Sequence, residues 1–187
     1  MERDITTIGE VLVDLTQTGT DARGIGTFSA NPGGAPANVA VAAARLGAHT
    51  GFIGKVGRDS FGAMLRRTLE ENGVNVDGLS EAEQAHTTLA VVSVDKTGER
   101  SFAFYRDPGA DTLLERADVR DSLLSGTQFL HFGSVSLTAE PSREATLYAA
   151  RRAREMGALI SYDPNYRAPL WPDEASALAA ALKVSRA

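Results

Sequence analysis

The sequence predicts an α/β fold: a mostly parallel sheet with helices on both faces, and a small β-sheet lid beside it. Three observations predict this. β-rich and helical segments alternate along most of the chain, as they do in parallel sheets. Two further β-rich stretches, at about 11–30 and 87–106, break that alternation and form a smaller unit. Three helical segments stop on a glycine, at Gly47, Gly73 and Gly157, where a left-handed turn ends a helix well.

Each element has its own signal. Residues 5–15 are rich in Ile, Val, Leu and Thr and read as a strand. Residues 16–32 are polar and carry Gly19, Gly24 and Gly26, so they read as a loop or peripheral hairpin. Pro36 suits a first helical turn, and the Ala/Val run after it predicts a helix over 36–46. Residues 50–56 are strand. Phe61, Leu65 and Leu69 recur every four residues, which predicts an amphipathic helix over 60–72 capped by Ser60 or Asp59. Residues 87–94 and 101–106 are β-rich, with Asp95-Lys96-Thr97-Gly98 as turn chemistry between them. Residues 129–132 form a short buried strand, 142–156 a helix, 159–163 a strand and 173–184 a last helix.

Composition narrows the function. The chain has 187 residues, enough for one ordinary domain. Its 24 acidic and 19 basic residues give a net charge of −5, and no long basic run is present, which argues against a nucleic-acid backbone binder. The absence of cysteine excludes a disulfide scaffold, a thiol nucleophile and any Cys-ligated metal. His49, His86 and His131 are scattered, so a His-rich metal site is not expected. No apolar tract is longer than that at 39–44, which is far short of the ~20 residues of a membrane helix. No targeting signal is legible, and the expectation is a cytoplasmic protein.

The strongest chemical signal is Asn31-Pro32-Gly33-Gly34-Ala35-Pro36-Ala37-Asn38. Paired glycines before a helix let backbone approach a ligand closely, with helix N–H groups facing it. Asn38, in the first turn, can donate to and accept from a hydroxyl. The bland alternative is a Gly-rich turn with a capping Asn. Neither a Walker A motif nor a G-x-G-x-x-G fingerprint fits.

Taken whole, GGAPANVAVAAARLGAHTGFIGKVGRDSFG closely resembles the N-terminal signature of the ribokinase-like (PfkB) sugar kinases. The opening IGEVLVDL resembles that family's first strand, and DPNYRAPLWP its D-x-N-x-R segment. The resemblance runs through essentially the whole chain in the expected order. The FYR stretch at 104–106 is most like the bacterial fructokinase branch, with 2-keto-3-deoxygluconate kinases as close relatives.

The resemblance implies roles for particular residues. Asp14, near a strand end, would accept hydrogen bonds from two sugar hydroxyls, with Gly33, Gly34 and Asn38 beside it. Tyr105 and Arg106 would reach the substrate from the lid, where an Arg helps exclude water. Pro164 forces Asp163 out of helical geometry, so Asn165 and Arg167 sit on a tight strand-end loop. There an amide and a guanidinium suit triphosphate oxygens. Asp163 reads as a group that orders this loop. Glu10 reads as a structural or polar-network residue rather than a catalytic one. ATP and Mg2+ are the implied cofactors, with K+ as a further candidate, and a homodimer through the lid strands is the implied assembly.

The family's base is an Asp in a G-x-G-D motif, and no such motif occurs here: Gly24-Ile25-Gly26 is followed by Thr27. The family's N-x-x-E segment is absent as well. The chain also stops straight after a helix, where a βαβ fold continues with a strand. The expectation is therefore that residues 1–187 are the N-terminal part of one domain, with the base and the nucleotide-binding part beyond residue 187 and negligible kinase activity in the chain alone. A second expectation is a non-catalytic sugar-binding or dimerisation module. A third is an unrelated nucleotide-binding α/β protein.

Overall fold

A computed structural model describes residues 3–94 and 100–184. Strand β1 (Arg3–Ile8) lies at the centre of a five-stranded sheet. The expected single strand over 5–15 is in fact two strands in two sheets. The chain leaves the large sheet at Gly9, whose φ is +145°, and re-enters β structure as β2 (Leu12–Thr20) in the small sheet. A Cβ on Gly9 would come within 2.8 Å of the Pro36 ring. The break is thus fixed by a close approach that a strand-propensity reading does not see.

Residues 16–32 resolve into the rest of β2 and an antiparallel partner, β3 (Gly26–Gly33). Helix α1 (Ala35–Arg45) follows, then β4 (Thr50–Gly57) and α2 (Ser60–Glu71). Asp59 caps α2: it accepts from Gly62 N–H at 2.8 Å. Strand β5 (Asn75–Ala82) has no β-rich signal in its sequence. It is held by pairing with β4, where Gly78 packs against Phe52 and Ile53. Strands β6 (Leu89–Val94) and β7 (Arg100–Tyr105) pair antiparallel. The Asp95-Lys96-Thr97-Gly98 turn expected between them lies outside the described residues. A short α3 (Asp121–Leu124), β8 (Thr127–Gly133), a 3-10 turn (Ser134–Leu137), α4 (Ser142–Glu155), β9 (Leu159–Asp163) and α5 (Glu174–Val184) complete the described chain.

The large sheet runs β5-β4-β1-β8-β9, parallel throughout. One face packs Phe52 and Val56 against Ala37 and Ala40 of α1 and Leu65 and Leu69 of α2. The other packs Ile8, Leu130 and Phe132 against Ala145, Ala149 and Ala153 of α4. Alanines on these helices bring their backbones close to the strands. The small sheet runs β3-β2-β6-β7, with β2 and β6 parallel and both outer pairs antiparallel. No helix among the described residues is long and apolar enough to cross a membrane.

Candidate functional site

Where the two sheets meet, one hollow of about 160 Å³ is lined by Glu10, Leu12, Asp14, Gly34, Ala35, Asn38, Ala90, Phe104, Val135, Asn165 and Arg167. Its floor lies beyond the carboxyl end of β1, where parallel sheets gather ligands.

Asp14 sits in β2, opposite Asn31 of β3 and Ala90 of β6. Burial raises its carboxyl above the usual Asp value, and the Arg167 guanidinium pulls in the opposite direction. Gly33 does not border the hollow itself. It packs behind Asp14, so closely that a Cβ there would collide with the carboxylate. Gly34 has φ +105°, and a side chain on it would collide with the Glu10 carbonyl. Here, as at Gly9, glycine is required twice over, by backbone angle and by space. Asn38 is exposed in the first turn of α1, and its N–H donates to the Gly34 carbonyl at 2.9 Å.

The opposite wall comes from the loop after β9. Asn165 has a left-handed φ of 23°. Its N–H donates to Asp163 Oδ1 at 3.0 Å, and its carbonyl accepts from Ser134 Oγ at 3.2 Å. Asp163 thus orders the loop that presents Asn165 and the exposed Arg167. The hollow therefore brings together a carboxylate, an amide at a helix start, and an amide–guanidinium pair. That set can bind a polyhydroxylated ligand at one end and an anion at the other.

The structure does not bring Tyr105 and Arg106 into this hollow. Successive strand residues face opposite ways, so Phe104 lines it and Tyr105 turns out. Tyr105 is 66% exposed and borders a separate hollow with Phe61, His86 and Pro108. The Arg106 side chain is only 6% exposed. It pairs with Asp111 at 2.7 Å, donates to Thr138 Oγ1 at 2.7 Å and to the Val135 carbonyl at 3.1 Å. Thr88 bonds the other oxygen of Asp111. Arg106 ties the base of the small sheet to the turn that carries Val135, and each of its three nitrogens already donates within the protein.

Sequence reasoning passed over Phe104 and Val135. The alternation Phe104-Tyr105 could have found the first; Val135 carries no signal. His131 Nδ1 bonds Ser161 Oγ at 2.9 Å, and burial keeps its pKa low. No group of three or more His, Asp or Glu side chains among the described residues could hold a metal ion.

A family model described as pfkB family carbohydrate kinase matches residues 2–186. A fructokinase of Solanum tuberosum is 47% identical over 183 residues, covering 97% of this chain and 57% of that protein. Among solved structures, fructokinase from Xylella fastidiosa superposes with a TM-score of 0.90 at 40% identity, over 97% of this chain and 57% of that one. Fructokinase from Vibrio cholerae O395, solved with fructose, ADP and a calcium ion, gives 0.85 at 35% identity, over 98% and 57%. The chain spans about half the length of the curated relatives it matches.

Proposed function

The chain belongs to the pfkB family of carbohydrate kinases, and on that premise we propose that it supplies the sugar-binding part of an enzyme that transfers the ATP γ-phosphate to fructose, giving fructose 6-phosphate. One observation carries the reading: Asp14, Gly34 and Asn38 meet Asn165 and Arg167 around a single hollow. In this reading Asp14 accepts hydrogen bonds from sugar hydroxyls, and Gly33 and Gly34 keep side chains out of the sugar's way. Asn38 bonds a further hydroxyl. Asn165 and Arg167 face the transferring phosphoryl group. Tyr105 and Arg106 are not among the contacts proposed for the conformation described.

Phosphoryl transfer also needs an acid–base group at the acceptor hydroxyl. The 187 residues contain no G-x-G-D sequence to supply the family's Asp. The reading therefore separates binding from turnover: the chain binds fructose and does not phosphorylate it. Isothermal titration of residues 1–187 with fructose tests the first half. Asp14→Ala is expected to abolish the binding heat, and unchanged binding would overturn the site. Incubation with fructose and Mg–ATP tests the second half. Turnover in the ordinary kinase range, about 1–100 s⁻¹, would overturn it.

The exposed Arg167 favours a second reading, an acid sugar such as 2-keto-3-deoxygluconate, whose carboxylate it could pair with. Competing the two sugars against each other in the same titration decides between them. A homodimer through the small sheet and a cytoplasmic location belong to the same proposal. The dimer is supported by the sheet's two edge strands, β3 and β7, and by exposed Ile25 and Phe28 beside the β3 edge. Light scattering of the purified chain reads the dimer directly.

A further inference from the structure

Glu10 is a polar side chain in a place where burial needs a reason. It lies at the crossing from the large sheet to the small one, borders the sugar hollow and is 3% exposed. Its Oε1 accepts a hydrogen bond from the Ala35 N–H at 3.1 Å, although the two residues are 25 apart in sequence. Its Oε2 is buried without a hydrogen-bond partner among the described residues. Its backbone carbonyl is the group against which Gly34 packs. Glu10 therefore meets the Gly34–Ala35 turn twice, once through the side chain and once through the backbone.

Helix α1 explains why such a contact is needed. A helix start leaves its first N–H groups without intrahelical partners. The usual remedy is a side-chain oxygen on the residue at the cap. Here the cap is Gly34, which has no side chain, and no local side chain bonds the turn. Glycine is required at this position for the close approach described above, so the local remedy is closed off. A carboxyl arriving from another segment is the remaining one.

We propose that Glu10 is the positioning residue of this site: a remote cap that holds the Gly34–Ala35 wall, and with it Asn38, in register with Asp14. The proposal rests on the sugar-site reading for what the wall binds, but not for the cap itself. The chemistry of the group makes it readable. Burial pushes the Glu10 carboxyl up to about 7, and the Asp111 carboxylate adds to the rise. Its own N–H, the Ala35 N–H and the Arg106 guanidinium work against it. Asp14 and Arg167 are the other charged groups on the same hollow. Loss of the Glu10 proton leaves a carboxylate with one oxygen on Ala35 and the second bare. The charged oxygen accepts from the Ala35 N–H more strongly than the neutral one does, so ionisation tightens the cap on the turn.

Two measurements on residues 1–187 test this. In sugar-free protein labelled with nitrogen-15, the Ala35 amide resonance is expected to titrate with a midpoint near 7, and to stay still over that range in Glu10→Gln. In fructose titrations, wild-type affinity is expected to rise about threefold or more between pH 6 and 8.5, while Glu10→Gln stays flat. Glu10→Ala, checked for folding by circular dichroism, is expected to bind about tenfold more weakly at every pH. An Ala35 amide that does not titrate, or that titrates equally in Glu10→Gln, overturns the cap. Fructose binding that Asp14→Ala abolishes and Glu10→Ala leaves intact also overturns it, with the sugar site standing. If Ala35 titrates as stated but no form of the protein binds fructose, the cap stands and the sugar reading falls.

Discussion

Ile8, Leu130 and Phe132 of the large sheet are fully buried, whereas Ile25 and Phe28 beside β3 and Tyr105 in β7 are at least half exposed. The large sheet has helices on both faces and is held by apolar volume packed at close to crystal density. The small sheet meets the rest of the molecule along its base, where Val13, Leu15 and Leu89 join the apolar cluster of Phe52, Val56 and Leu65. There Arg106 also pairs with Asp111 and donates to the Val135 carbonyl at 3.1 Å. One region is enclosed by apolar packing on both faces, and the other is packed at its base and tied there by a buried ion pair. The site lies on their boundary, so its rigid half comes from the first region and its adjustable half from the second.

The widest test of this contrast uses two phenylalanines. Phe132→Ala is expected to destabilise the protein by about 3–5 kcal/mol, since it empties a fully enclosed position. Phe28→Ala is expected to stay within about 0.5 kcal/mol. Urea denaturation of both variants reads the difference, and similar values would mean that the two sheets are not held differently.

Arg106→Ala comes next, with an expected loss of about 3 kcal/mol, because Asp111 would remain buried with no cation beside it. The contrast predicts more than a magnitude. Amide exchange should quicken first in 89–94 and 103–105, with β1 and β8 still protected. Uniform loosening of both sheets would show that the ion pair does not serve the small sheet in particular.

A loss smaller than those at Phe132 and Arg106 is expected at Asp59, which touches both regions. Its carboxylate caps α2 through Gly62 and also accepts from the Thr87 N–H and Oγ1, each at 2.8 Å, just ahead of β6. Burial would raise its pKa, but the hydrogen bonds from Thr87 and Gly62 prevail and hold it below the usual Asp value. That sign means its stabilisation is present above the ordinary Asp pKa, 3.8, and is lost as pH falls through the lower folded value. Asp59→Ala should cost about 1–2 kcal/mol at neutral pH. Its thermal melts should lack the wild type's loss of stability on that acid limb, and an unchanged limb would remove Asp59 from the seam.

The same contrast decides what was legible in the sequence. Gly33-Gly34, Pro36 and Asn38 are neighbours in sequence, so a local pattern reveals them together. Asn165 and Arg167 are legible because Pro164 and a strand end constrain a loop of a few residues. Arg106 has a partner five residues on and another 32 residues away. No periodicity carries that information, so its burial could not be read. Residues 75–82 have strand geometry through β4 rather than through their own composition. The break at Gly9 depends on Pro36, 27 positions later, and a run of β-formers gives no warning of it.

The small sheet's middle seam has a kinetic consequence. Val13 pairs beside Leu89 and Thr16 beside Val92, in parallel, although some 76 residues separate each pair. Ring closure across so long a stretch is entropically unfavourable until the intervening βαβ units have condensed and brought both ends together. The two outer hairpins can nucleate early and separately, and the line that unites them should zip last. Pulse-labelled exchange during refolding would then find the amides of 13–16 and 89–92 protected after those of 51–56. The reverse order would place the seam in the folding nucleus.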